Sequence, residues 1–156
     1  MNVKLKSELI EVFQNLADIL SNIPLEHRNG PIQGELLELK GIIAKYSEEE
    51  VKTCGVALAA GDAFELYWLA RVGVQGVKNH LIEALDSDDA IDVMRAALGL
   101  EYLGDSKGAD TLRLLAKKAH KLSDQIDPED ELLEELKLTD LPNLNALRDE
   151  ITEGSS

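Results

Sequence analysis

Hydrophobic positions recur along this chain at three- and four-residue steps, the period of a helix face, and no apolar alternation of the strand type lasts more than a few residues. Leu5, Leu9, Val12, Phe13, Leu16, Ile19 and Leu20 form one stripe that predicts a first helix over Val3 to Ser21, closed by Pro24. PLEHRNGP is a loop by its prolines and Asn-Gly, and Pro31 suits the first position of a second helix with Ile32, Leu36, Leu39, Ile43 and Tyr46 on its inner face. Ser47 and Glu50 stand three apart, a capping box that starts a third helix running to about Ala60.

The stretch Ala63 to Val72 is different, because apolar side chains cover nearly its whole circumference. A helix apolar all round is a buried helix, and this one is far too short to span a bilayer, which takes ~20 apolar residues. Gly61-Asp62 reads as a break and an N-cap, and Gly73 as the stop. It holds the only Trp, so it is expected to be the central packing element. Val74, Val77, Leu81, Ala84 and Leu85 predict the next helix. DSDD at Asp86 to Asp89 makes a turn and a cap, and a further well-buried helix follows from about Ala90 to Leu103. Gly104-Asp105-Ser106 separates it from a helix carrying Ala109, Leu112, Leu115, Ala116, Ala119 and Leu122. Asp127-Pro128-Glu129-Asp130 starts a short helix to Lys137, and Leu144, Leu147 and Ile151 suggest one more.

Two pieces align at an offset of 31: Leu69-Ala-Arg-Val-Gly73 on Leu100-Glu-Tyr-Leu-Gly104, with Leu81 falling on Leu112. Each unit is a helix, a Gly-containing turn and a second helix. The expected fold is therefore all-α: antiparallel helix hairpins stacked as a short α-solenoid, the alternative being a compact helical bundle. The 156 residues form one domain, with N-terminal helices over 1–60, two helix pairs over 61–121 and an acidic helical tail over 122–156.

The formal net charge is −14, with 30 acidic against 16 basic residues. This argues against nucleic acid, whose phosphates need Lys and Arg, and against anionic membrane surfaces. It favours a basic partner if the partner is charged. Residues 122–156 contain 11 of the acids and 2 of the bases, which is nine of the fourteen net negative charges. Cys54 is the sole cysteine and lies in an apolar helical run, so a buried inert thiol in a reducing compartment is expected. The first residues, interrupted by Glu8 and Glu11, read as a mature helix rather than a secretion signal, and a cytoplasmic protein is expected.

Candidate chemistry is sparse. His27, His80 and His120 share no metal-ligand spacing, and Asp86 to Asp89 lacks the later ligands and the glycine of a calcium loop, so neither a metal nor a cofactor is expected. There is no nucleophile elbow and no phosphate loop, so an enzyme is not expected. The odd charges in the two buried helices, Glu65 and Arg71 in one, Arg95 and Glu101 in the other, are placed at the rims of the buried faces.

The segment AALGLEYLGDSKGADTLRLLAKKA, with small residues in its first helix and Gly-Asp at its turn, resembles a HEAT-type repeat, and the likeness extends over roughly Ala63 to Lys121. As a small, acidic, all-helical, HEAT-like chain the protein resembles the helical immunity proteins of bacterial polymorphic-toxin and contact-dependent inhibition systems. That resemblance implies a protein that neutralises a cognate toxin domain, often a basic nuclease, by occluding its active site; a monomer or weak homodimer is expected. The competing expectation is a HEAT-like regulatory or scaffold adaptor that binds a protein or peptide. If the hairpins stack, the acidic turns align along one edge: Asp62, then Asp86, Asp88 and Asp89, then Asp105 and Asp110. The candidate partner-binding residues are Asp62, Glu65, Tyr67, Asp86, Asp88, Asp89, Glu101 and Asp105, with Trp68 and Tyr102 as further possible apolar anchors.

Overall fold

The first helix, α1 (Val3–Asn22), starts where Asn2 caps it, its side chain accepting from the Leu5 amide at 3.1 Å. The stripe Leu5, Leu9, Val12, Phe13, Leu16 and Ile19 is buried, as its spacing requires. Burying each such side chain is worth about 1.5–3 kcal/mol, which is what holds a helix that would be marginal alone. These elements belong to a computed structural model that describes residues 2–24 and 27–112. The expected helices beyond 112 and the acidic tail lie outside the described residues.

The second helix, α2 (Asn29–Ile43), begins two residues before Pro31, so Gly30 and Pro31 lie inside its first turn, where the missing proline N–H costs no intrahelical bond. Arg28 joins the two helices: its guanidinium donates to the carbonyls of Ile23 at 2.7 Å and Leu20 at 3.0 Å at the end of α1. Ile32, Leu36, Leu39 and Ile42 are buried against α1, while Ile43 and Tyr46 are half-buried at its edge. In α3 (Glu48–Ala59) the expected cap forms, the Glu50 amide donating to Ser47 Oγ at 3.1 Å and Ser47 Oγ meeting Glu50 Oε1 at 3.2 Å.

The apolar helix is α4 (Phe64–Arg71), with Leu66, Tyr67, Trp68, Leu69 and Ala70 all buried. It packs on α3 on one side and on α6 (Ala90–Tyr102) on the other. At Gly55 the α3 backbone comes so close to Leu69 that a Cβ there would collide with its Cδ1. Cys54 beside it is 1% exposed, and burial pushes its thiol pKa up. A single 3₁₀ turn (Gln75–Val77), rather than continuous α-helix, leads into the short α5 (Lys78–Ala84). A last helical segment occupies 107–112 at the end of the described chain.

The repeat seen in the sequence is present in the backbone. Gly73 and Gly104 have φ of 93° and 83°. Val74 donates to the Leu69 carbonyl at 3.0 Å and Gly73 to Ala70 at 2.9 Å; Asp105 donates to Leu100 at 2.9 Å and Gly104 to Glu101 at 3.0 Å. Both helices thus end in the same Schellman motif, 31 residues apart. The protein is all-helical, and among the described residues there is no strand and no helix long and apolar enough to cross a membrane.

Candidate protein interface

α4 and α6 run parallel. At their starting ends the Ala63 amide donates to Asp92 Oδ1 at 3.3 Å, and towards their far ends a Cβ on Gly99 would lie 3.4 Å from that of Ala70. α5 is antiparallel to α6, since Lys78 at its start meets Asp105, just past the end of α6, at 3.5 Å. The bundle of α4, α5 and α6 therefore has two ends, and they differ in charge.

One end collects Asp62 before α4, Glu65 in its first turn, Glu83 in the last turn of α5, Asp86, Asp88 and Asp89 in the connection, and Asp92 in the first turn of α6. Asp62, Asp86, Asp88 and Asp89 are exposed. His80 stands there too, with Nδ1 4.0 Å from Glu83 Oε2, and Arg95 supplies a cation, its guanidinium 5.0 Å from the centre of the Phe64 ring. Glu65 is half-buried, its carboxyl pKa raised mainly by burial, with Asp62 and Asp92 adding to the rise and its own backbone amide and Arg95 opposing it. Its Oε2 atom and Trp68 Nε1, one helical turn on, are buried without a hydrogen-bond partner.

The expected single ridge of acidic turns is divided, because Asp105 lies at the other end. A helix connection alternates ends, and Asp105 follows the C-terminus of α6 whereas Asp62 precedes the N-terminus of the parallel α4. Asp105 is engaged there: Oδ1 accepts from the Lys107 amide at 2.9 Å and Oδ2 faces Lys78, and the bond from the Lys107 amide is the main cause of its depressed pKa. Asp110 lies beyond it on the 107–112 segment. Glu101 is 9% exposed and accepts from the Ala109 amide at 2.8 Å, holding the start of 107–112 against α6. Tyr67 is 3% exposed and serves the core: its ring meets Trp68 at 4.8 Å and Tyr102 at 6.2 Å, and its hydroxyl accepts from Arg71 at 3.3 Å. Arg71 stacks on Trp68 and Tyr102 at 5.6 and 5.3 Å. Asp62 does not cap α4 as expected; Ala63 is the N-cap, without a side-chain cap bond of its own, and Asp92 supplies the acceptor from α6.

Clefts open on the surface among the described residues. The first, of about 320 Å³, lies between α3, α4 and α5, with Val56, Ala59, Leu66 and Ala84 as its apolar lining and Gly61, His80, Glu83, Asp86 and Ser87 around them. It joins the turn after α3 to the turn after α5, so two of the acidic connections border one opening. The second, of about 290 Å³, lies between α1 and α2 and carries Glu8, Glu11, Glu35 and Glu38 with Asn15. There Glu8 is held by Lys45 at 2.7 Å and by the Tyr46 hydroxyl at 2.9 Å, which keeps its pKa below the ordinary carboxylate value. The helical spacing of Glu8, Glu11 and Asn15 was a signal for this face that sequence reasoning passed over. The third cleft, of about 340 Å³, is lined by Ile43, Tyr46, Val51 and Val74 with Glu48, Gly73 and Gln75. Among the described residues no group of three or more His, Cys, Asp or Glu side chains is placed to hold a metal ion.

The protein is all-helical, and among the described residues the exposed aspartates of α4, α5, α6 and their connections gather at one end of those three helices. Compared with family models, with curated proteins and with solved structures, the chain matches none.

Proposed function

We propose that this is a protein-binding inhibitor, an immunity protein of the HEAT-like helical type that neutralises a basic toxin domain in the bacterial cytoplasm by covering its active site. The observation that carries this reading is the gathering of exposed carboxylates, Asp62, Asp86, Asp88 and Asp89, at one end of α4, α5 and α6. Such a surface accelerates encounter with a basic partner, up to ~10⁸–10⁹ M⁻¹s⁻¹ at low salt against ~10⁵–10⁶ without steering, and repels nucleic acid. A nuclease inhibitor of this kind places its acids where the substrate phosphates would lie, and needs neither metal nor cofactor. The paired Schellman turns and the parallel packing of α4 on α6 support stacked HEAT-like hairpins as the scaffold. The adaptor reading is favoured by one feature, the cleft whose apolar lining is Ile43, Val51 and Val74, which suits an apolar peptide side chain.

The test is co-purification of the tagged protein with the product of its neighbouring gene at low and high salt. A tight 1:1 complex whose association slows as salt rises is the expected result. Recovery of the protein alone at every ionic strength would remove the inhibitor reading and leave the adaptor.

A further inference from the structure

We propose that the cleft between α3, α4 and α5 is a socket for one basic side chain, an arginine or lysine, of the partner protein. This rests on the inhibitor reading and adds the place and chemistry of its anchor. The lining is two-layered. Val56, Ala59, Leu66 and Ala84 supply apolar surface, Ala59 and Leu66 being themselves 3% and 4% exposed, while Glu83 and Asp86 supply carboxylates. That order matches a long basic side chain, whose methylene stem prefers apolar contact while its charged head stays near water and anions. Glu83, near the end of α5, and Asp86, in the turn that follows, both line the cleft, and the Asp86 amide donates to the Glu83 carbonyl at 3.1 Å, which keeps the two residues one turn apart.

The volume of about 320 Å³ sits at the bottom of the ~300–1,000 Å³ range of small-molecule sites, which fits a single inserted side chain better than a larger ligand. Charge selects the sign of the occupant: Asp62 and Asp88, next in sequence to the lining residues Gly61 and Ser87, are exposed, and the His80 imidazole on the lining lies 4.0 Å from Glu83. An anion would meet this field unfavourably and a neutral side chain would leave it unused. An arginine or lysine uses both layers.

The probes are blocked Gly-Arg-Gly and Gly-Lys-Gly peptides, with the neutral Gly-citrulline-Gly peptide as control, titrated into the full chain and followed by amide NMR shifts. Shifts at Gly61, Leu66, Ala84 and Ser87 are expected with the basic peptides and not with citrulline. The double variant Glu83→Gln/Asp86→Asn, both at exposed positions, should weaken the effect about fivefold or more, as loss of exposed charge pairs does. Ala84→Leu narrows the cleft without touching its carboxylates and should weaken it as well. Equal response to citrulline, shifts centred elsewhere, or an affinity unchanged in the double variant would overturn the socket. The two readings fail separately. A partner complex that forms with undiminished affinity in Glu83→Gln/Asp86→Asn removes the socket and keeps the inhibitor. Peptide binding at the cleft with no partner complex at any salt removes the inhibitor and keeps the socket.

Discussion

The backbone amide of Ala63 finds its acceptor in Asp92, 29 residues away on a parallel helix, at 3.3 Å. The carboxylate next to it in sequence, Asp62, stays exposed. The start of α4 is therefore held by a neighbouring helix. Asp92→Ala is expected to cost about 1 kcal/mol, the usual value of a lost cap. Asp62→Ala should stay within about 0.5 kcal/mol, as an exposed substitution away from such features does. Urea denaturation of the two variants checks this, and equal costs would contradict it.

Glu65 gives stability a pH dependence opposite to that of most carboxylates. Burial raises its folded-state pKa above the unfolded value, so the folded chain holds the proton more tightly. Its contribution is then full below the unfolded carboxylate pKa and is lost as pH rises through the raised one. Glu65→Gln, which keeps the shape without the charge, should raise the melting temperature at pH 7. The difference from the parent chain should shrink as pH falls towards 4. A gap that widens on acidification would show the assignment of sign to be wrong.

Glycines in this chain divide by what surrounds them. A Cβ on Gly108 would run into the Ala97 carbonyl oxygen and lie 2.8 Å from Glu101 Cγ. Gly108→Ala should therefore destabilise by about 1–3 kcal/mol, as overpacking does, by pushing 107–112 away from α6. Gly34 and Gly41 on α2 face open space, so alanine at either should add up to about 1 kcal/mol through helix propensity. Thermal melts of the three single variants give both signs in one experiment.

The repeated Schellman turns predict matched penalties. Gly73 and Gly104 have nothing near a built Cβ, so strain from positive φ is the whole effect of a substitution. Alanine at each should cost about 1–2 kcal/mol. The two values should agree within about 0.5 kcal/mol and add in the double variant if the sites are independent. Markedly unequal costs would mean that the two turns do not share one role.

Cys54 should react with a thiol reagent only on unfolding, because it is buried and its thiolate is disfavoured. Fast labelling of the native chain would show that α3 opens there.

How far the fold could be read from the sequence depended on how local each cause is. The stripe of α1, the Ser47 cap and the stops at Gly73 and Gly104 are set within one or two turns of chain, and the structure places all of them where the spacing put them. The start of α2 moved because a proline is tolerated anywhere in a first turn, so Pro31 bounds the helix without fixing its first residue. Among the candidate interface residues, exposure of Asp62, Asp86, Asp88 and Asp89 followed from their position between apolar helices. The fate of Tyr67 and Glu101 did not, since a ring or a carboxylate on a mostly apolar helix can face either a rim or a neighbour.

By itself the sequence determined the helical class, the apolar character of α4, the 31-residue recurrence of helix and glycine turn, and the excess of negative charge. Those follow from period, composition and local backbone chemistry. Only the tertiary structure decided which carboxylates share an end. Parallel packing of α4 and α6 puts Asp62, Asp86, Asp88 and Asp89 together and sends Asp105 to the opposite end, where it holds Lys78. It also turned Asp92 into a cap for another helix and opened a cleft between elements that adjoin only in space. Charge is written in the chain, whereas its direction is set by which helix ends meet, and that depends on side chains far apart in sequence packing against one another.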